Sequence, residues 1–428
     1  MNTKNLVIRL LAGTVLASSA MAQSIWTGSI DNNFNTAGNW SPSGVPGDTS
    51  VIEINTGTSI FNGSDSSLLR RATTTIDGGT LVLNNVRFRN AENGPATFNM
   101  VTGALIQNDA TYFMVGRNNA GTFNQSGGTV DLTIGRGFFL TDGGGTAGTY
   151  NLTGGTLDVK LNQYSGDVLT GSLFNAWVGR GGNSDLMNVD GGTFNLDVTG
   201  PAGADRNFLV ARNATFRVDS GTVDMQGLLS FTVGQARVAN TTSNMLINGG
   251  NTTLAVTEAL IIGGGVSGSL IMNGGTLAVN THNGLGGELR LGDVSISDTV
   301  ETGGKSATTD ASVLLNGGTI QIAGDLVLGV DANNTSSFIM EDGELFANDI
   351  FVGLGDVSFA FNGGQIQLNG DRTDLISESW FTGAAGTFAV YDAVNDFTLI
   401  AIPEPGTLVL LVAALGFFAW HRRSKTRH

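Results

Sequence analysis

The chain has 428 residues, among them 63 glycines, 6 prolines and no cysteine, with 13% charged residues and a formal net charge of −15. So much glycine excludes a mainly helical protein, since each interior glycine costs roughly 1 kcal/mol relative to alanine, and 41% hydrophobic residues exclude a disordered one. The acidic balance speaks against nucleic acid and anionic lipid headgroups as partners, while the length suits one elongated repeat body as well as several globular domains.

Residues 1–22 read as a secretion signal: Lys4 and Arg9 give a positive start, Leu10 to Ala17 a mostly apolar run, and Ala20-Met21-Ala22 a small-x-small site. Cleavage is expected between Ala22 and Gln23. Export permits disulfides, yet there is no cysteine, so stability is expected to come from stacked strands and buried ladders. Residues 23–70 differ in composition from the middle of the chain, with Trp26-Thr27-Gly28, Asn39-Trp40 and Val45-Pro46-Gly47-Asp48. They are expected to form an N-terminal cap in which aromatics cover the end of a stack. Asp31-x-Asn33-x-Asn35 opens like a calcium loop, but Thr36 stands where glycine is needed and Pro42 where the closing glutamate belongs.

Residues 71–370 contain one recurring unit: an alternating strand, Gly-Gly-Thr or a near variant, and another alternating strand. The paired glycines are Gly78-Gly79, Gly127-Gly128, Gly154-Gly155, Gly191-Gly192, Gly274-Gly275, Gly317-Gly318 and Gly363-Gly364; Gly103, Gly221, Gly250 and Gly343 keep the place in weaker copies. A second signal recurs in step with the first, an apolar strand ending in glycine, as in Phe113-Met114-Val115-Gly116, Trp177-Val178-Gly179 and Leu260-Ile261-Ile262-Gly263. Copies lie 21 to 43 residues apart, which suits three short strands per turn. The glycines are expected at structural corners, where positive φ or close backbone approach is needed, with the following threonine starting a strand. Ser165 to Asn175 and Asn280 to Asp310 are expected to be loops projecting from one face. Residues 371–402 are expected to cap or link the far end, with Trp380, Phe381, Phe388, Tyr391 and Phe397 closing the stack.

The last segment, 403–428, has three parts in order: Pro403-Glu404-Pro405, an apolar stretch from Thr407 to Trp420, and a basic end of Arg422, Arg423, Lys425 and Arg427. It resembles the PEP-CTERM sorting tail of Gram-negative bacteria. The resemblance implies sorting by an exosortase-type membrane peptidase. A helix over Thr407 to Trp420 would rise about 21 Å against roughly 30 Å of hydrocarbon, which suits a short transmembrane sorting helix retained temporarily in the inner membrane. The basic cluster acts as its stop, kept cytoplasmic by the positive-inside rule. The repeats and the tryptophan-rich opening resemble those of autotransporter-type and PEP-CTERM solenoid proteins. Without residues 1–22 and 403–428 the body has 15 basic and 35 acidic residues, net −20.

Catalytic chemistry finds little to work with. The body has a single histidine, His282, and no cysteine, which excludes a cysteine nucleophile and a multi-histidine zinc site. Gly303-Gly304-Lys305-Ser306 imitates a phosphate loop, but Thr299 stands where its first glycine is required. Asp205, Arg206 and Arg212 are the candidates for a polysaccharide lyase or hydrolase, a class that β-helices can host without histidine. No cofactor or metal is expected. The expectation is therefore an all-β, right-handed parallel β-helix with an N-terminal signal peptide. It would be a non-catalytic scaffold or adhesin, exported to the cell envelope or extracellular matrix and associated with exopolysaccharide. The alternative is a carbohydrate-active or carbohydrate-binding β-helix.

Overall fold

A computed structural model describes residues 23–68, 71–143, 147–162, 175–181, 184–199, 206–235, 241–294 and 308–402. The expected signal peptide, Ser165 to Phe174, Asp205, Thr299 to Ser306 and the tail at 403–428 lie outside the described residues.

Alternating sequence and glycine corners together produce a coil. Strands from successive repeats pair in parallel and in register, giving a β-solenoid of about 12 turns with almost no helix. Its regular turns have three sides. Thr242–Ile247, Asn251–Val256 and Ala259–Ile262 form one turn, and Ser267–Met272, Thr276–Thr281 and Glu288–Leu291 form the next. Each strand of one turn pairs with its counterpart in the other. The body is thus three parallel sheets closed around one core.

Period-2 alternation puts every second residue inside, and stacking then aligns like with like. Phe98, Phe123 and Tyr150 stack from coil to coil on the first sheet at 4.7 and 4.6 Å between ring centroids. Phe88, Phe113 and Phe138 do the same on the third at 4.5 and 5.5 Å. Such offset pairs add about 0.5–1.5 kcal/mol each beyond their buried area, and repetition makes the column the unit of stability.

The ends are closed differently. At the start, Trp26 and Trp40 are each 2% exposed and pack edge-on at 5.1 Å, with Phe34 against Trp40 at 4.9 Å. At the far end, Phe381–Gly383 adds in parallel to the first sheet over Asp356–Phe361. Phe397–Ala401 turns back antiparallel over Gln365–Asn369 of the second sheet and pairs with Phe388–Asp392 on its other side. The third sheet finishes with Ile350–Val352, which pairs with Leu326–Leu328.

Two expectations need correction. The interval Asn280 to Asp310 is not loop throughout: after a tight turn at His282 to Gly287 it supplies Glu288–Leu291 to the third sheet, because Leu289 and Leu291 alternate inward. Of the aromatics expected to close the far end only Phe381 is buried, whereas Phe388 is 36% exposed on the outer hairpin. Trp380 packs partly buried against the core, and from the outer strand Ala389 does so while Phe388 and Val390 face out.

Candidate functional site

Each glycine pair divides two duties. The left-handed conformation falls on the first member at Gly78 (φ +102°) and Gly191 (φ +109°), and on the second at Gly128, Gly155, Gly275, Gly318 and Gly364. The other members, Gly79, Gly127, Gly154, Gly192, Gly274, Gly317 and Gly363, have no such φ. There an added Cβ would meet neighbouring chain, for example the Asn248 carbonyl for Gly274 or the Leu152 side chain for Gly192. Of the expected cleavage-site residues, Gln23 opens the strand Gln23–Trp26; Ala20 and Ala22 lie outside the described residues, as do Pro403, Glu404, Pro405 and the basic cluster.

Among the described residues, the weak chemical candidates serve local structure. Asp31 accepts hydrogen bonds from Asn33 N at 2.8 Å, Asn39 Nδ2 at 2.6 Å and Thr36 Oγ1 at 3.0 Å. The Asn33 contact is the main cause of its lowered pKa, so this carboxylate organises a turn. Among the described residues no three acidic or histidine side chains are placed to hold a metal ion. His282 sits in its turn with its backbone bridging Leu285. Arg212 donates to the Gly181 carbonyl at 3.1 Å, and the Arg206 carbonyl accepts from Leu229 N.

What the register assembles instead is a set of outward columns. On the first sheet, Asn244, Ser269, Ser312, Ser337 and Ser358 follow one another up the stack, and beside them run Leu246, Ile271, Leu314, Ile339 and Ala360. All ten are partly or fully exposed. The aliphatic column has a sequence signal, since Met245-Leu246-Ile247 or Phe338-Ile339-Met340 interrupts alternation with an apolar residue that must face out. At the adjoining corner, side-chain amides chain together: Asn248 donates to Asp219 at 2.5 Å, Asn273 to Asn248 at 2.7 Å and Asn316 to Asn273 at 2.8 Å. A flat face of hydroxyl, aliphatic and amide columns thus repeats at the inter-strand spacing of roughly 4.8 Å.

Two further features were not foreseen. Asp185 is 1% exposed and accepts from Thr141 Oγ1 and, at 2.6 Å, from Gly148 N. Burial raises its pKa to about 6, opposed by those hydrogen bonds, one from Gly179 N, and the charge of Arg212. The second is a cavity of about 380 Å³ where the third sheet ends, walled by Phe351 and Trp380 and floored by Asp349 and Arg372. Asp349 has only 8% of its side chain exposed and pairs with Arg372 Nη2 at 2.7 Å.

Fold and surface together define a repeat protein of the parallel β-solenoid class. Residues 401–423 match the PEP-CTERM protein-sorting motif, beginning at the last residue of the antiparallel closing strand. That motif implies an exported protein, sorted to the cell envelope by an exosortase, which is a membrane protein. No curated protein and no solved structure matches the chain. Among the described residues no helix is long and apolar enough to cross a membrane.

Proposed function

We propose that the mature protein is a non-catalytic scaffold or adhesin of the envelope or extracellular matrix, presented alongside exopolysaccharide after transient retention in the inner membrane. The flat face from Asn244 to Ala360 is the observation that supports this reading. Aliphatic ridges cover the C–H faces of an extended sugar chain, and flanking serines and asparagines exchange hydrogen bonds with its hydroxyls. A periodic polymer meets the same pair of columns at each coil, so weak contacts add by multivalency. The coil is taken as right-handed, the hand of nearly all parallel crossover connections, and the tail as a short transmembrane helix. Residues 23–70 and 371–402 act as caps to the body at 71–370.

Co-sedimentation of the purified chain with host exopolysaccharide tests the proposal. Ile271→Lys with Leu314→Lys should abolish retention while leaving the thermal melt unchanged, because both side chains lie outside the core. Undiminished retention overturns the lateral face as the contact. Release of reducing ends or unsaturated products from the polysaccharide overturns the non-catalytic reading in favour of a lyase or hydrolase.

A further inference from the structure

We propose that the cavity at the end of the third sheet is a binding site for an amino sugar, a pyranose unit bearing a free ammonium group. This names a ligand class within the polysaccharide association proposed above and rests on that reading. At about 380 Å³ the cavity lies at the small end of ligand pockets, roughly 300–1,000 Å³.

Its walls are aromatic. Phe351 is 49% exposed because the third sheet stops there and no further coil covers it, and Trp380 faces the same space from the segment that crosses to the first sheet. Both line the cavity, and aromatic rings pack favourably against a pyranose or a cation. The floor presents an acceptor and a donor side by side: Asp349 and Arg372 are paired with each other, and Arg372 is further held by its backbone N–H, which donates to Thr398 Oγ1 at 2.8 Å. Adjacent donor and acceptor suit neighbouring hydroxyls on one ring.

The rim decides the charge. Asp374 and Glu378 line the cavity, are exposed, and make no side-chain hydrogen bond or close ion pair among the described residues, Asp374 acting on Arg372 only through space. The one guanidinium present is engaged by Asp349, so a bound group meets net negative charge in a body that is acidic throughout. Uronic acids are repelled and an ammonium is attracted. A bare metal ion does not satisfy the arrangement, since the carboxylates do not converge on one point. A ligand with spread donors and an apolar face does.

Calorimetric titration of the purified full chain with a glucosamine tetramer is the test, with the N-acetylated tetramer, tetralysine and a tetrauronate as comparators. The glucosamine tetramer should bind one to one and at least about tenfold more tightly than the N-acetylated form, the size of effect expected for one charge-assisted contact. Trp380→Ala should weaken it about tenfold or more, on the scale of an aromatic anchor. Asp374→Asn with Glu378→Gln should do likewise and flatten the salt dependence; both positions are exposed, and an unchanged melt confirms that the variant is folded. No binding, equal binding of the two tetramers, tetralysine matching glucosamine, or indifference to the rim variant overturns the assignment. None of these bears on the lateral face, which co-sedimentation of the Ile271 and Leu314 variant reads independently.

Discussion

Tyr150 Oη donates a 2.6 Å hydrogen bond to Gln125 Oε1 one coil away, inside the core. The Gln125 amide nitrogen donates to the Thr156 carbonyl at 2.8 Å, so two polar side chains satisfy one another and the corner chain where no water enters. Burial pushes the Tyr150 phenol well above its usual pKa and keeps it the donor. Tyr150→Phe keeps the ring in its column and strips the acceptor of its partner. It should destabilise by about 1–3 kcal/mol, the cost of an orphaned buried group, read as a lower denaturant midpoint at unchanged slope.

Asp185 makes stability depend on pH in an unusual direction for a carboxylate. Its pKa is about 6 when folded and near 3.8 in an ordinary setting. Between those values the native state holds a proton that the unfolded chain releases, so this group's contribution falls as pH rises. Above pH 6 the penalty is complete, at roughly 3 kcal/mol. Thermal melts from pH 4 to 7.5 should therefore show wild type gaining on Asp185→Asn as pH falls through 6. A parallel pair of curves would place the carboxylate outside the apolar interior.

Gly155 and Gly284 share φ +76° but not surroundings. An added Cβ at Gly284 meets nothing within 4 Å, while at Gly155 it meets the carbonyl of Gly128 and the carbonyl carbon of Gly127 at 2.5 Å. Gly284→Ala should cost only the left-handed backbone penalty, about 1–2 kcal/mol. Gly155→Ala should cost several times more, because the preceding coil must move as well. Equal losses in chemical denaturation would mean that corner contact between coils is not what demands glycine.

Removing residues 403–428 should release the body, whereas replacing Pro403, Glu404 and Pro405 by alanine should leave an uncut chain in the inner membrane. On the proposed reading the first change removes anchor and recognition together, whereas the second keeps the apolar stretch and the basic end and loses only the segment offered to the peptidase. Intact mass and membrane fractionation in the native host report both outcomes. Normal maturation of the triple variant would leave a plain anchor as the better description of the tail.

The coil could be read from the sequence because its rules are local. Gly-Gly-Thr at positions such as 154–156 marks a corner, alternation such as Leu277-Ala278-Val279 marks a half-buried strand, and the two recur in step. The outward columns could not be read in the same way. Whether Ile271 stands beside Leu314 depends on register across an interval of 43 residues, and unequal coil lengths hide it until the strands are paired. The cavity was harder still, since Phe351 and Trp380 come from different elements and meet only because the third sheet ends first. Asp185 gave no signal at all: one aspartate among many, distinguished only by the buried amides of Gly148 and Gly179 and the Thr141 hydroxyl that close over it.

The reversal of Phe397–Ala401 over Gln365–Asn369 has a consequence for how copies of the protein can meet. A parallel coil ending on a bare edge would template the next coil, whether from the same chain or another. Here the final strand of the second sheet runs the wrong way for that template, and its far side is already taken by Phe388–Asp392. The stack therefore carries its own terminator on this sheet, and head-to-tail fibre growth through it is blocked. Whatever brings two copies together end to end must therefore bypass the second sheet.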